Sequence, residues 1–190
     1  MTKTPDRFER YFRTLAEVAR VVNSSLETGN VLAAVTEQTT KAVRAKGCTL
    51  RLLDRSGARL LPSAAFGLSK EYFRKGSVEL ANSEVDREVI SGKTIHIPNA
   101  QNDPRFQYGE AAKKEGIVTV LVTPLMVDGK AIGVMRIYTT TERSFDDASL
   151  DFLRAVADIS AMAIENARLH QALKTDYEML ASYEHRIFED

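Results

Sequence analysis

The chain has 190 residues, 44% of them hydrophobic, and its 26 Lys plus Arg balance 26 Asp plus Glu. That size and composition describe one folded soluble domain with added helices and speak against wholesale disorder, and a net charge of zero gives no general reason to expect binding to nucleic acid or acidic membranes. A lone cysteine, Cys48, excludes an intramolecular disulfide and a multi-cysteine metal centre. No apolar run approaches the roughly 18 residues that span a bilayer. The N-terminus leads into an amphipathic segment and not a signal sequence, so a cytoplasmic location is expected. The balance of charge is a sum of unlike parts: residues 1–46 and 47–140 each carry +3, and residues 141–190 carry −6.

In chain order, Phe8, Phe12, Leu15, Ala19, Val22 and Leu26 repeat at spacings of four and three, the seam of a coiled coil or helical bundle. Thr28-Gly29-Asn30 is expected to end this helix and cap a second, which runs to about Lys46 with Val31, Leu32, Val35, Ala42 and Val43 on one face and Gly47 as its stop. Residues 48–53 and 60–66 are rich in strand formers and flank the turn Asp54-Arg55-Ser56-Gly57. Residues 67–107 are mixed: Ser83 can cap a short helix over 84–91 closed by Gly92, residues 94–97 form a short strand ended by Pro98, and residues 99–105 form a loop. A helix over 106–115 stops at Gly116, and strands over 117–127 and 131–139 are joined by Asp128-Gly129, a strong hairpin signal.

The last fifty residues read as one helix, with Asp146, Asp147 and Asp151 at its positive end. Leu150, Leu153, Val156, Ile159, Ala163 and Ala167 form a core-facing stripe. Leu169, Leu173, Tyr177, Leu180, Tyr183 and Ile187 then carry an apolar stripe beyond what one small domain needs, as a helix with a partner does. The order of elements predicts an α+β sandwich, with helices on one face of an antiparallel sheet and the middle segment covering the other.

Three ordered groups of residues resemble a GAF domain, a small-molecule sensing module of signalling proteins. They are Gly92-Lys93-Thr94-Ile95-His96-Ile97-Pro98-Asn99 with Asp103-Pro104-Arg105-Phe106; Val122-Thr123-Pro124-Leu125 with Gly129-Lys130-Ala131-Ile132-Gly133-Val134; and Ser144-Phe145-Asp146-Asp147 leading to Ala163-Ile164-Glu165-Asn166-Ala167-Arg168-Leu169. The resemblance covers about residues 14–170. It implies a GAF/PAS-like fold: a central antiparallel sheet of about five to six strands, N- and C-terminal helices packed on one face, and a ligand pocket on the other. It also implies a parallel homodimer through the terminal helices that relays a signal. The expected division is a bundle helix over 1–27, a sensor domain over 28–168 and a helical extension over 169–190.

Strand alternation places Cys48, Leu50 and Leu52 on one face of the first strand and Thr49, Arg51 and Leu53 on the other; Met135 and Ile137 oppose Val134, Arg136 and Tyr138 in the last. Val118, Val120 and Val122 are assigned to the helix-facing core, which sends Thr119, Leu121 and Thr123 towards the pocket. The first and last strands are neighbours in the family's order, so Arg51 and Arg136 either converge on an anion or pack their stems and pair at the sheet edge. The candidate ligand-contacting set is Arg51, Arg136, Thr119, Thr123, Tyr138 and His96. His96, in a short strand beside the pocket, is either packed or free to ligate haem iron or hydrogen-bond a ligand. No histidine pair has metal-ligand spacing, and Cys48 reads as a buried structural thiol.

The resulting expectation is a non-enzymatic sensor with an unknown ligand, no assigned cofactor and a separate signalling partner. A ligand-free dimerisation module, its pocket filled by Phe66, Tyr72, Phe73, Phe106 and Tyr108, is the alternative. A third reading is a redox enzyme like the free methionine sulfoxide reductases that share this fold; they rely on several cysteines, and one cysteine speaks against it.

Overall fold

The computed structural model describes residues 6–24, 27–74 and 76–187, with side chains as far as residue 179. Helix α1 (Arg7–Ser24) buries Tyr11, Thr14 and Val18. Tyr11 stacks on Phe152 with ring centroids 4.2 Å apart, and its hydroxyl lies 3.1 Å from Ser149 Oγ. The expected seam is the neighbouring stripe: Phe8 and Phe12 are exposed and Leu15, Ala19 and Val22 half-buried, while Leu26 lies outside the described residues. The helix has two apolar flanks, and spacing alone cannot say which one its own core takes.

Helix α2 (Thr28–Val43) starts directly after Glu27, so residues 28–30 form its first turn and not a break. It stops before Gly47: Arg44 takes a left-handed conformation, φ 52°, and its amide donates to the Lys41 carbonyl. Gly47 instead opens strand β1 (Gly47–Leu53), where a Cβ would lie 2.6 Å from the Phe66 carbonyl oxygen. Strand β2 (Arg59–Phe66) returns antiparallel to β1 through a turn organised by Asp54, whose carboxylate accepts from Ser56, Arg59 and the amides of Ala58 and Arg59.

The middle segment holds helix α3 (Lys70–Phe73), strand β3 (Val78–Glu79), a 3-10 turn over Leu80–Asn82, helix α4 (Glu84–Ile90), strand β4 (Ile95–Ile97) and helix α5 (Gly109–Glu115). Elements as short as α3 and β3 show no hydrophobic period, which is why the sequence does not announce them. Ser83 caps α4 as expected, and Gly116 ends α5 with φ 70°. Strands β5 (Thr119–Val127) and β6 (Lys130–Thr139) meet at Asp128 and Gly129, both at positive φ, the geometry of a two-residue hairpin. Helix α6 (Asp147–Ile187) follows β6.

The strands form one six-stranded antiparallel sheet in the order β3-β2-β1-β6-β5-β4. One face packs on α2 and α6 through Cys48, Leu50, Leu121, Leu125, Met135 and Ile137, and α1 lies against those two helices in the same core. The opposite, distal face is covered by residues 67–74 and 76–116 and carries Leu60, Val120, Val122, Val134 and Tyr138 against Tyr72, Val85, Val89 and Phe106. The fold is therefore the α+β sandwich expected. On α6 the buried face is Phe152, Leu153, Val156, Ala157, Ser160, Ala161 and Ile164, with Leu150, Ile159, Ala163 and Ala167 half-buried beside it. Leu169, Leu173 and Tyr177 are exposed, and the side chains of Leu180, Tyr183 and Ile187 lie outside the described residues.

The structure corrects the assignment of the β5 valines. Val120 pairs with Tyr138 and Val122 with Arg136, so the valines share the distal face, and Leu121 faces the helices opposite Ile137. Residues 119–125 are buried throughout. A strand covered on both faces reads as apolar on both, and alternation then carries no directional information.

Candidate functional site

The distal face is built where β1 and β6 pair. Thr49 lies opposite Arg136 and Arg51 opposite Val134, which sets the two arginines diagonally on one face of neighbouring strands, close enough for long side chains to meet. Arg51 is 2% exposed and Arg136 1%. Charges held this deep are rarely tolerated without partners, because desolvation costs several kcal/mol per ion.

Arg136 finds its partner on the covering segment. Its Nη2 donates to both carboxylate oxygens of Asp86, at 2.6 and 2.7 Å. Asp86 is in turn set by its own helix: it stands three residues after Ser83, whose hydroxyl accepts from the Asp86 amide at 3.3 Å and donates to Asp86 Oδ2 at 2.6 Å. The cap that starts α4 thus also aims the carboxylate at the sheet. Burial, the largest single influence, pulls the Arg136 pKa down, but the Asp86 charge and hydrogen bonds together with Tyr138 and Tyr72 outweigh it and hold the guanidinium above its ordinary range.

Arg51 has no carboxylate within hydrogen-bond reach among the described residues. Its Nη1 donates to the carbonyls of Gly76, at 2.9 Å, and Leu60, at 3.3 Å. Burial, and after it the neighbouring Arg136 charge, push its pKa below the usual arginine value. Three buried donors around this pair, Arg51 Nε, Arg136 Nε and Arg136 Nη1, have no hydrogen-bond partner among the described residues.

Hydroxyls and rings complete the face. Tyr138 Oη lies 3.1 Å from Thr49 Oγ1. Its ring meets that of Tyr72 edge-on, with centroids 5.8 Å apart. Tyr108 donates to the Ser77 carbonyl at 2.7 Å. Of the aromatic residues expected to fill a collapsed pocket, Tyr72, Phe106 and Tyr108 pack into this layer, whereas Phe66 lies on the helix side under Lys41 of α2.

The structure brings together Arg51, Arg136 and Tyr138 from the expected set and separates the other three. Thr119 and Thr123 lie on the helix-facing side, opposite Thr139 and Met135 in the register, because β5 presents its valines and not its threonines to the distal layer. The Thr119 hydroxyl is occupied by the Pro98 and Thr141 carbonyls and the Arg143 amide. His96 is corrected as well: it pairs with Leu121, so it points away from the distal layer, and it is exposed. Its Nε2–H donates to the Arg143 carbonyl at 2.9 Å, and Phe145 meets its ring edge-on. The candidate set omits Asp86, Thr49 and Tyr72. Of these, Asp86 alone leaves a signal beyond strand alternation, the Ser83-x-x-Asp86 spacing, which reads as a helix cap and gives no hint of the arginine that the carboxylate meets.

Residues 27–164 match the sequence pattern of the GAF domain. The chain belongs to the GAF domain family. It is 32% identical over 132 residues to a methyl sulfide methyltransferase-associated sensor from Methanosarcina acetivorans, an overlap of 67% of this chain and 13% of that protein. The chain therefore spans about an eighth of that relative's length. Among solved structures, the GAF domain of an Acinetobacter phosphoenolpyruvate-protein phosphotransferase is 26% identical with a TM-score of 0.70, covering 83% of this chain and 94% of that one. The free methionine-R-sulfoxide reductase of Neisseria meningitidis, in complex with its substrate, superposes with a TM-score of 0.72 at 18% identity, covering 90% and 97%, a likeness of fold alone. In this GAF domain Cys48 sits on the helix side opposite Ile137 and is fully buried; burial pushes its thiol up, away from the thiolate that redox chemistry requires.

Proposed function

We propose that this GAF domain is a non-enzymatic sensory and regulatory module that takes a small molecule on the distal face of its sheet and relays it through a homodimeric bundle of α1 and α6. The observation that carries the proposal is the alternation along β1 and β6. Arg51, Arg136 and Tyr138 enter the distal layer, and their immediate neighbours Leu50, Met135 and Ile137 enter the core shared with α1, α2 and α6. Two sites one residue apart on stiff, paired strands are mechanically coupled, since dense packing converts a small shift on one face into repacking on the other.

The helical layer supports the output half of this reading. Phe8, Phe12, Met162, Leu169, Leu173 and Tyr177 are exposed along α1 and α6. Leu169 and Leu173 also line a groove of about 480 Å3 with Val22, Val31, Ala163 and Asn166. An apolar strip of this length on a small domain is the surface of a helix with a partner. The non-enzymatic part rests on the burial of Cys48, the position of His96 on the exposed side, and a distal layer whose one carboxylate in contact with Arg136 is ion-paired. Light scattering at micromolar concentration tests the relay and is expected to report a dimer; a monomer would overturn it. Native mass spectrometry of protein taken straight from cells tests the sensor and is expected to show retained small-molecule mass.

A second reading, a ligand-free interaction module, is favoured by one observation: Tyr72, Phe106 and Tyr108 already fill much of the distal layer. A dimer that retains nothing and is stabilised by no small molecule would establish it in place of the first.

A further inference from the structure

We propose that the distal layer holds a recognition site for a small monoanion of carboxylate type, taken by the free edges of Arg51 and Arg136. The inference rests on the sensor reading and names the chemistry of its ligand. Its first ground is the balance of charge: two guanidiniums, each at most 2% exposed, share the layer with Asp86 as the one carboxylate in hydrogen-bond contact with either among the described residues. The nearby Glu115 is committed elsewhere, to Lys46 and to the amide and hydroxyl of Ser69. The buried cluster carries one positive charge in excess, and a single negative charge neutralises it.

The second ground is the donors. Asp86 engages only Nη2 of Arg136, and the Gly76 and Leu60 carbonyls engage only Nη1 of Arg51. Arg51 Nε, Arg136 Nε and Arg136 Nη1 are left as N–H groups sealed from solvent without an acceptor among the described residues. Planar N–H donors from two guanidiniums suit the two oxygens of a carboxylate better than a spherical ion.

Size follows from the surroundings. Both arginines are at most 2% exposed in a layer already packed by Tyr72, Phe106 and Tyr138, so the ligand has only a few heavy atoms.

Calorimetric titration and thermal melts of the full chain with acetate, propionate and pyruvate, against acetamide and propionamide and at matched ionic strength in chloride, test the site. Saturable binding of a carboxylate, with none by the amide of the same shape, is expected. Arg51→Met should abolish that binding. Asp86→Asn removes the competing internal charge and should tighten it by about tenfold or more, a gain that a purely structural role for Asp86 does not produce. Equal stabilisation by all salts, or equal binding of acid and amide, overturns the proposal. If the carboxylates fail while native mass spectrometry shows a retained neutral molecule, the ligand class is wrong and the sensor reading stands. If neither is seen, both fall.

Discussion

Arg136 and Asp86 form the pair whose disruption should cost most. Replacing Arg136 by Met leaves a carboxylate 3% exposed without its cation, a change that in buried pairs destabilises by about 3–5 kcal/mol. Urea unfolding should show this loss, and the Arg136→Met/Asp86→Asn double variant should lose less than the sum of the two single changes. Cys48 should resist thiol reagents in the native state and react fully once unfolded, because burial keeps it protonated and inaccessible. Asp54 supplies a pH-dependent contribution of known sign. The Ser56 hydroxyl first, then Arg59 and two backbone amides, hold its pKa at about 2 against an ordinary 3.8. A pKa lowered on folding means stabilisation that is complete above pH 3.8 and is lost as pH falls through about 2. An NMR titration of the Asp54 carboxyl should find that low midpoint, and Asp54→Asn should remove this part of the acid dependence of the β1–β2 hairpin.

At the level of elements, two glycines should respond in opposite directions. Gly133 lies in β6 against β1, where a Cβ would come 2.3 Å from the Arg51 carbonyl oxygen. Gly133→Ala should push these strands apart and destabilise by about 1–3 kcal/mol, as overpacking does, and weaken the seating of Arg51. Gly29 stands in the first turn of α2, where an added Cβ would meet nothing within 4 Å. Gly29→Ala should stabilise by about 0.5 kcal/mol through lower unfolded-state entropy. Thermal melts of the two variants measure both. The elements that read cleanly from sequence are those with long periods or specific turn chemistry, such as α6, the Asp128-Gly129 hairpin and the Ser83 cap. The start of α2 does not, because Thr28, Gly29 and Asn30 suit a turn and a helix opening equally well and only packing of Val31 and Leu32 decides.

Across the whole molecule, the terminal helices present a surface that their own sheet does not use. Phe12 is 75% exposed and Leu173 69%. Phe12→Glu and Leu173→Glu should leave the circular dichroism spectrum unchanged and shift a dimer towards monomer in light scattering. The charge asymmetry of the chain contributes little by comparison: the Arg7–Asp146 contact between α1 and α6 is about half exposed on both sides, and pairs of that kind contribute roughly 0–1 kcal/mol.

The sequence by itself determined the order and type of the long elements and the α+β architecture, because these rest on local periodicity and turn chemistry that each segment carries alone, and it carried the family in three ordered groups of residues. It also placed Arg51, Arg136 and Tyr138 on one face, since strand alternation is strict where each residue is tied to its neighbours by the pleat. Only the tertiary structure decided which face of β5 looks towards the helices, because a strand buried on both sides is apolar in both directions. It alone turned His96, Thr119 and Thr123 away from the distal layer and brought Asp86, fifty residues distant in the chain, onto Arg136. Register and long-range ion pairing are properties of how segments meet, and no segment holds that information on its own.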